Sequence, residues 1–174
     1  MQKPQWTQAR RIFSASAVAG RLDQLEFMLK DLAPIARLDA PASQTLWRAI
    51  RDVAPLAYPR EKIIWKISVA PTAGPKVAET VARVHDTNAL FDWSGGLVWL
   101  ALDPCPGAAA GVIRQAVAEN GGGHATLIRA PSETRATIPV FEPQPQGLAA
   151  LSRRLKDAFD PYAILEPRRM WAEF

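Results

Sequence analysis

The side chains that most often do chemistry are few and scattered in this chain, so the positions where they do occur carry the functional reading. His124 follows the run Gly121–Gly123. An imidazole there could serve a small ligand as base or hydrogen-bond donor, and could equally be satisfied by a neighbouring carbonyl. His85 is the other histidine, and the pair lacks the further ligands that a metal site needs, so no metal is expected. Arg169 and Arg129 are candidate anion contacts. A guanidinium grips carboxylate or phosphate through two parallel hydrogen bonds and keeps its charge at any working pH. Either arginine also reads as an ordinary surface side chain. Cys105 lies between Pro104 and Pro106 with no His or Lys evident beside it, which reads as an inert thiol. The tryptophans (Trp6, Trp47, Trp65, Trp93, Trp99 and Trp171) are core or interface packing, or the lining of a cofactor cleft. No Ser/His/Asp set, carboxylate pair or Cys/His cluster can be assembled.

The elements that must position these residues are clearest from Lys62 to Arg129. Ile63, Trp65, Ile67 and Val69 alternate with Ile64, Lys66 and Ser68, the pattern of a half-buried strand. Gly74-Pro75 opens a helix whose stripe is Val77, Val81 and Val84. Ala89–Trp93 and Leu97–Leu102 make a hairpin around Ser94, Gly95 and Gly96, and the second of these strands, apolar on both faces, belongs in the sheet's interior. A helix over Ala108–Asn120 buries Val112, Ile113, Ala116 and Val117, with Gly121 as its cap, and His124–Arg129 closes the sheet. This order, β-α-β-β-α-β, is an α+β, ferredoxin-like antiparallel sheet with helices on one face. The uncovered face is expected to show large apolar groups, Ile64 beside Trp65 and Val98 or Trp99.

Upstream, Arg11–Val18 reads as a strand and Leu22, Leu25, Met28, Leu29 and Leu32 as a helix stopped by Pro34. Ile35–Leu38 is a short strand candidate. Ser43 caps a second helix with Leu46, Trp47, Ile50 and Val53 inward. These elements could extend the same sheet. Downstream, the proline-rich 130–147 connection leads to an amphipathic helix with Leu148, Leu151, Leu155 and Phe159 on one stripe. Asp160-Pro161 ends it, leaving an irregular tail.

With 174 residues the chain is expected to form one domain, 1–174, large enough for a real core. Hydrophobic content of 48% against 22% charged excludes a disordered chain, and no apolar run is long enough to span a bilayer. The formal net charge of +4 comes from scattered Lys and Arg, the pattern of a solvated surface. No basic, glycine-containing aromatic strand of the RNA-recognition type occurs, so nucleic acid is not an expected partner.

Asp160-Pro161, Leu165, Pro167, Arg169 and Met170 resemble the F-D-P-x-x-[IL]-[LF]-N-P-G-[RK]-M tail that closes FAD-linked oxidases of the vanillyl-alcohol oxidase type. Glu166 and Arg168 stand where that family has Asn and Gly. Trp65–Pro75, Phe91–Leu100 and Gly122–Pro131 are similar to the E subunit of bacterial glycolate oxidase, so the resemblance spans Leu46 to Trp171. It implies the C-terminal cap, or substrate, domain of a flavoprotein that oxidises glycolate or another 2-hydroxy acid. FAD would be the cofactor of the full-length family, bound by an N-terminal domain absent here. Met1–Leu46 contains no glycine-rich phosphate loop.

On this resemblance Pro167, Arg169, Met170 and Trp93 would approach the flavin only when a flavin-binding domain is supplied. The chain alone would be neither catalytic nor cofactor-binding. The expected partners are that domain, the D subunit and the iron–sulfur F subunit, in the cytoplasm or peripheral to the inner membrane. The family's D subunits carry His-rich metal motifs near the hairpin; no His occurs in Phe91–Leu102, so no metal site is carried over. The alternative is a stand-alone module that dimerises through its open sheet face.

Overall fold

Trp65 sets the centre of the sheet. Its strand, β1 (Ile63–Val69), pairs antiparallel with β3 (Leu97–Leu102) on one side and β4 (Gly123–Arg129) on the other. β2 (Thr87–Asp92) pairs antiparallel with β3, giving the order β2-β3-β1-β4. This is the ferredoxin-like α+β fold that the alternation of Lys62–Arg129 predicts. The computed structural model describes residues 15–31, 36–165 and 170. Its packing divides into two units, Met1–Arg48 and Ala49–Phe174.

In the second unit the period-2 pattern decides which side chains are inside. Ile63, Trp65, Ile67, Val98, Leu100, Leu102, Ala125 and Leu127 point to one face, all buried. Two helices cover them. Val77 and Val81 of one (Gly74–Ala82) and Ile113, Ala116 and Val117 of the other (Ala110–Glu119) complete the core. The Trp65 indole N–H, which burial would otherwise leave unpaired, donates to Ala108 O at 2.9 Å. Val84 lies beyond the first of these helices and is exposed, so the predicted stripe is one residue too long. Gly74 is fixed by close approach: a Cβ there would sit 1.9 Å from Gly95 O, where the hairpin turn passes the helix start.

The connection after β4 is not structureless. A short helix, Ser132–Thr137, is followed by a chain that lies along the outer edge of β4. Leu127 N–H donates to Val140 O at 2.8 Å and Ala125 N–H to the Glu142 carboxylate at 3.1 Å. Arg114 holds this segment by donating to Pro139 O and Phe141 O, with its guanidinium over the Trp65 ring. The edge of the sheet is thereby paired rather than left as a template.

Numbering the α-helices in chain order, α1 is Ala15–Leu29, α2 Ala40–Arg51, α3 Gly74–Ala82, α4 Ala110–Glu119, α5 Ser132–Thr137 and α6 Gln146–Phe159. The upstream expectations need correction. From Ala15 onward the predicted strand Arg11–Val18 is helical, because Ala15, Ala17 and Ala19 favour a helix and alternation there is weak. Arg11–Ser14, Leu32, Pro34 and Ile35 lie outside the described residues. Ala36–Leu38 forms no strand, so none of the described upstream residues adds a strand to the sheet. The cap of α2 is Asp39 rather than Ser43, its carboxylate accepting from Ala42 N–H at 2.8 Å. The expected inner face of α2 is not inside: Leu46 and Trp47 are exposed, and Ile50 is half-buried. Val53 lies past the helix end at φ 51°.

Candidate functional site

The open face of the sheet carries the residues with unassigned chemistry. Strand register sets them in rows. Leu90, Trp99, Lys66 and Thr126 stand side by side across the four strands, and Asp92, Leu97, Ser68 and His124 form the next row. Ile64 and Ala101 form a third, and this end is covered by the chain itself: Leu56, from the 3-10 turn Ala54–Leu56, packs with Val53 against both. Of the first two rows, Leu97 is buried, Leu90, Trp99, Lys66, Ser68 and Thr126 are half-buried, and Asp92 and His124 are exposed. The surface is therefore apolar toward β2 and β3 and polar toward β1 and β4.

Lys66 sits at the division between the halves. Its ammonium lies 5.6 Å from the centroid of the Trp99 ring, and no carboxylate pairs with it among the described residues. The Trp99 face stabilises the cation, while the β4 neighbour Thr126 offers a hydroxyl beside it. Lys66, Trp99, Leu90, Ser68 and Thr126 are all half-buried, so a ligand seated here would lose water from one side only. The chemistry this supports is recognition of a small carboxylate next to an apolar surface, with no nucleophile or paired acid and base in reach. Sequence reasoning missed Lys66. The only signal was a lysine at an outward position of a strand otherwise rich in Ile and Trp.

His124 is where the sequence expects it, at the start of β4 and on this face, opposite Ser68 and exposed. Arg129 is a different matter. A bulge at Ile128 sets Arg129 opposite Ile64 and re-aims its side chain. The guanidinium then donates to Lys62 O, Ala57 O, Leu56 O and Pro59 O at 2.8–3.2 Å. Each of its three nitrogens donates to a carbonyl of the chain that covers Ile64, so Arg129 is a structural staple and not an anion contact. Trp93 lies in the hairpin turn with its backbone N–H on the Asp92 carboxylate at 2.7 Å and its ring exposed.

Of the tail residues, Met170 is exposed, and Pro167 and Arg169 lie outside the described residues. The start of the tail is pinned. Asp160 is buried and accepts from Ile164 N–H and Leu165 N–H, each at 2.9 Å, and from the Lys156 ammonium, which also reaches Leu165 O. The Lys156 hydrogen bond, with the two backbone donors, holds the Asp160 carboxyl below its ordinary pKa. Burial pushes the Cys105 thiol above its ordinary value, which fits an unreactive group. No group of three His, Cys, Asp or Glu side chains among the described residues could hold a metal ion.

The fit to a flavin is partial. Gly121–Gly123 follow the C-terminal end of α4, where carbonyls face outward and repel a pyrophosphate. The space at the α3 N-terminus is filled by Gly95 O. The open face can cover a planar ring but has no cradle for its phosphates. Comparison with models of known protein families finds no match, and comparisons with curated proteins and with solved structures find none.

Proposed function

We propose that this chain is the cap, or substrate, domain of an FAD-dependent 2-hydroxy-acid oxidase resembling the E subunit of glycolate oxidase. In this reading it closes over a flavin held by another domain or subunit. The observation that carries it is the divided open face, apolar on the half-buried Leu90 and Trp99 and cationic at Lys66. A bound flavin supplies the acceptor for the hydride of the α-carbon. Lys66 would hold the substrate carboxylate, Thr126 and Ser68 would accept or donate hydrogen bonds beside it, and the Trp99 edge would exclude water. His124, in the next row of the same face, would face the hydroxyl end. Turnover requires the flavin-bearing partner, so the isolated chain is expected to be inactive.

Three stripes support a partner of some size. Leu22, Leu25 and Leu29 of α1, Leu46 and Trp47 of α2, and Leu148, Leu151 and Leu155 of α6 are each more than two-fifths exposed. Apolar surface of that extent is costly in water and fits docking onto further protein. A nucleic-acid role finds less support, since no Phe, Tyr or second Trp accompanies Trp99 on the open-face positions of the four strands.

The test uses the complex recovered from its native cells. Lys66→Met should raise KM for glycolate or lactate by roughly 10- to 100-fold, the equivalent of one charge-assisted hydrogen bond of about 1.5–3 kcal/mol. Activity toward an uncharged 2-hydroxy amide should change little. An unaltered KM for the acid contradicts the assignment.

A further inference from the structure

We infer that the outer edge of β2 pairs with the same strand of a second copy, joining two sheets into one of eight strands. The two edges of the sheet are treated differently. β4 is covered by the Val140–Glu142 chain, and Arg135 donates to Ile128 O at its bulge. β2 has no cover: Asn88, Ala89, Phe91 and Asp92 are exposed, and its outward backbone groups have no partner among the described residues. Thr87–Asp92 contains no lysine, proline or bulge, three of the devices that ordinarily keep an edge from pairing.

The strand's own sequence selects the occupant and the register. Thr87, Ala89 and Phe91 lie on the helix face, and Asn88, Leu90 and Asp92 on the open face, as their partners in β3 require. Two antiparallel copies related by a two-fold axis normal to the sheet must place like faces opposite, so the axis passes through a residue. An axis at Ala89 sets Asp86 opposite Asp92 twice, which is repulsive. An axis at Leu90 sets Leu90 opposite Leu90, the large Phe91 opposite the small Ala89, and Asp92 opposite Asn88, whose amide can donate to it. That register has no opposed like charges. The apolar halves of both open faces then meet at the seam, and both copies of Lys66 and Thr126 stay outside it. A short seam of this kind makes a reversible dimer.

Sedimentation of the purified chain should give a mass rising with concentration from 19.1 kDa to twice that value. Asn88→Asp sets a carboxylate opposite Asp92 at an exposed position, leaves the monomer folded by circular dichroism, and should weaken the dimer by tenfold or more. In a Cys105→Ala background, Leu90→Cys should form a disulfide with its own copy. An equimolar mixture of Ala89→Cys and Phe91→Cys chains should cross-link faster than either chain alone. A monomer at every concentration up to about 1 mM overturns the inference. So does a dimer indifferent to Asn88→Asp, or one in which the 89/91 mixture has no advantage, as contact through open faces or helix stripes would give.

Discussion

Two basic residues at neighbouring positions of the same sheet serve different ends. Arg129 gives its fork to four carbonyls of the chain that covers Ile64, and Lys66 has an aromatic face and no acid beside it among the described residues. Arg129→Ala should therefore destabilise the chain by about 1–3 kcal/mol in urea unfolding, since partly buried carbonyls lose their donors. Arg129→Lys should recover less than half of that, because an ammonium cannot reach the same set; full recovery would show that only charge matters. Asp160 provides a pH test. Its folded pKa lies below the unfolded one, so its contribution is complete above the ordinary carboxylate value of 3.8 and disappears as pH falls through the lower folded value. The Ile164 and Leu165 amide resonances should hold their positions down to about pH 4 and move only below it. Movement between pH 5 and 7 contradicts the pinned tail. The residue-level reading of the sequence placed His124 at the start of the closing strand but did not foresee the role of Arg129, because the bulge that re-aims Arg129 depends on pairing with β1. Lys66 was not legible for a similar reason: its neighbours Trp99 and Thr126 are distant in sequence.

At the scale of elements, the legible part was the part with a strong period. Lys62–Arg129 alternates or repeats strongly enough that strands, helices and order follow from it. Upstream, Ser14 to Ala19 alternates only between small residues, which satisfy a helix as well as a strand, and the helix forms from Ala15. The 130–147 connection was unreadable because its order comes from Arg114 and the edge of β4 rather than from its own pattern. The α6 stripe was read correctly as one face, and what the sequence could not say is that Leu148, Leu151 and Leu155 remain half exposed. Leu151→Glu should accordingly leave stability within about 0.5 kcal/mol, a Tm change of a few degrees at most. The same substitution should reduce recovery of the chain in its native complex. A large fall in Tm would mean that the stripe is packed within the chain itself.

For the molecule as a whole, large apolar side chains of the described residues reach solvent in stripes on α1, α2 and α6, while Leu90 and Trp99 of the open face are half-buried. Among the described residues no helix is long and apolar enough to cross a membrane, so these stripes are not a spanning segment. In the proposed reading they dock onto another protein, and Lys66 holds a small anion on the open face. The visible spectrum of the complex isolated through a tag on this chain tests that account most directly. It should contain a flavin band, in proportion to the chain, that bleaches when glycolate or lactate is added without oxygen. A colourless complex, or a flavin band indifferent to every 2-hydroxy acid, contradicts it.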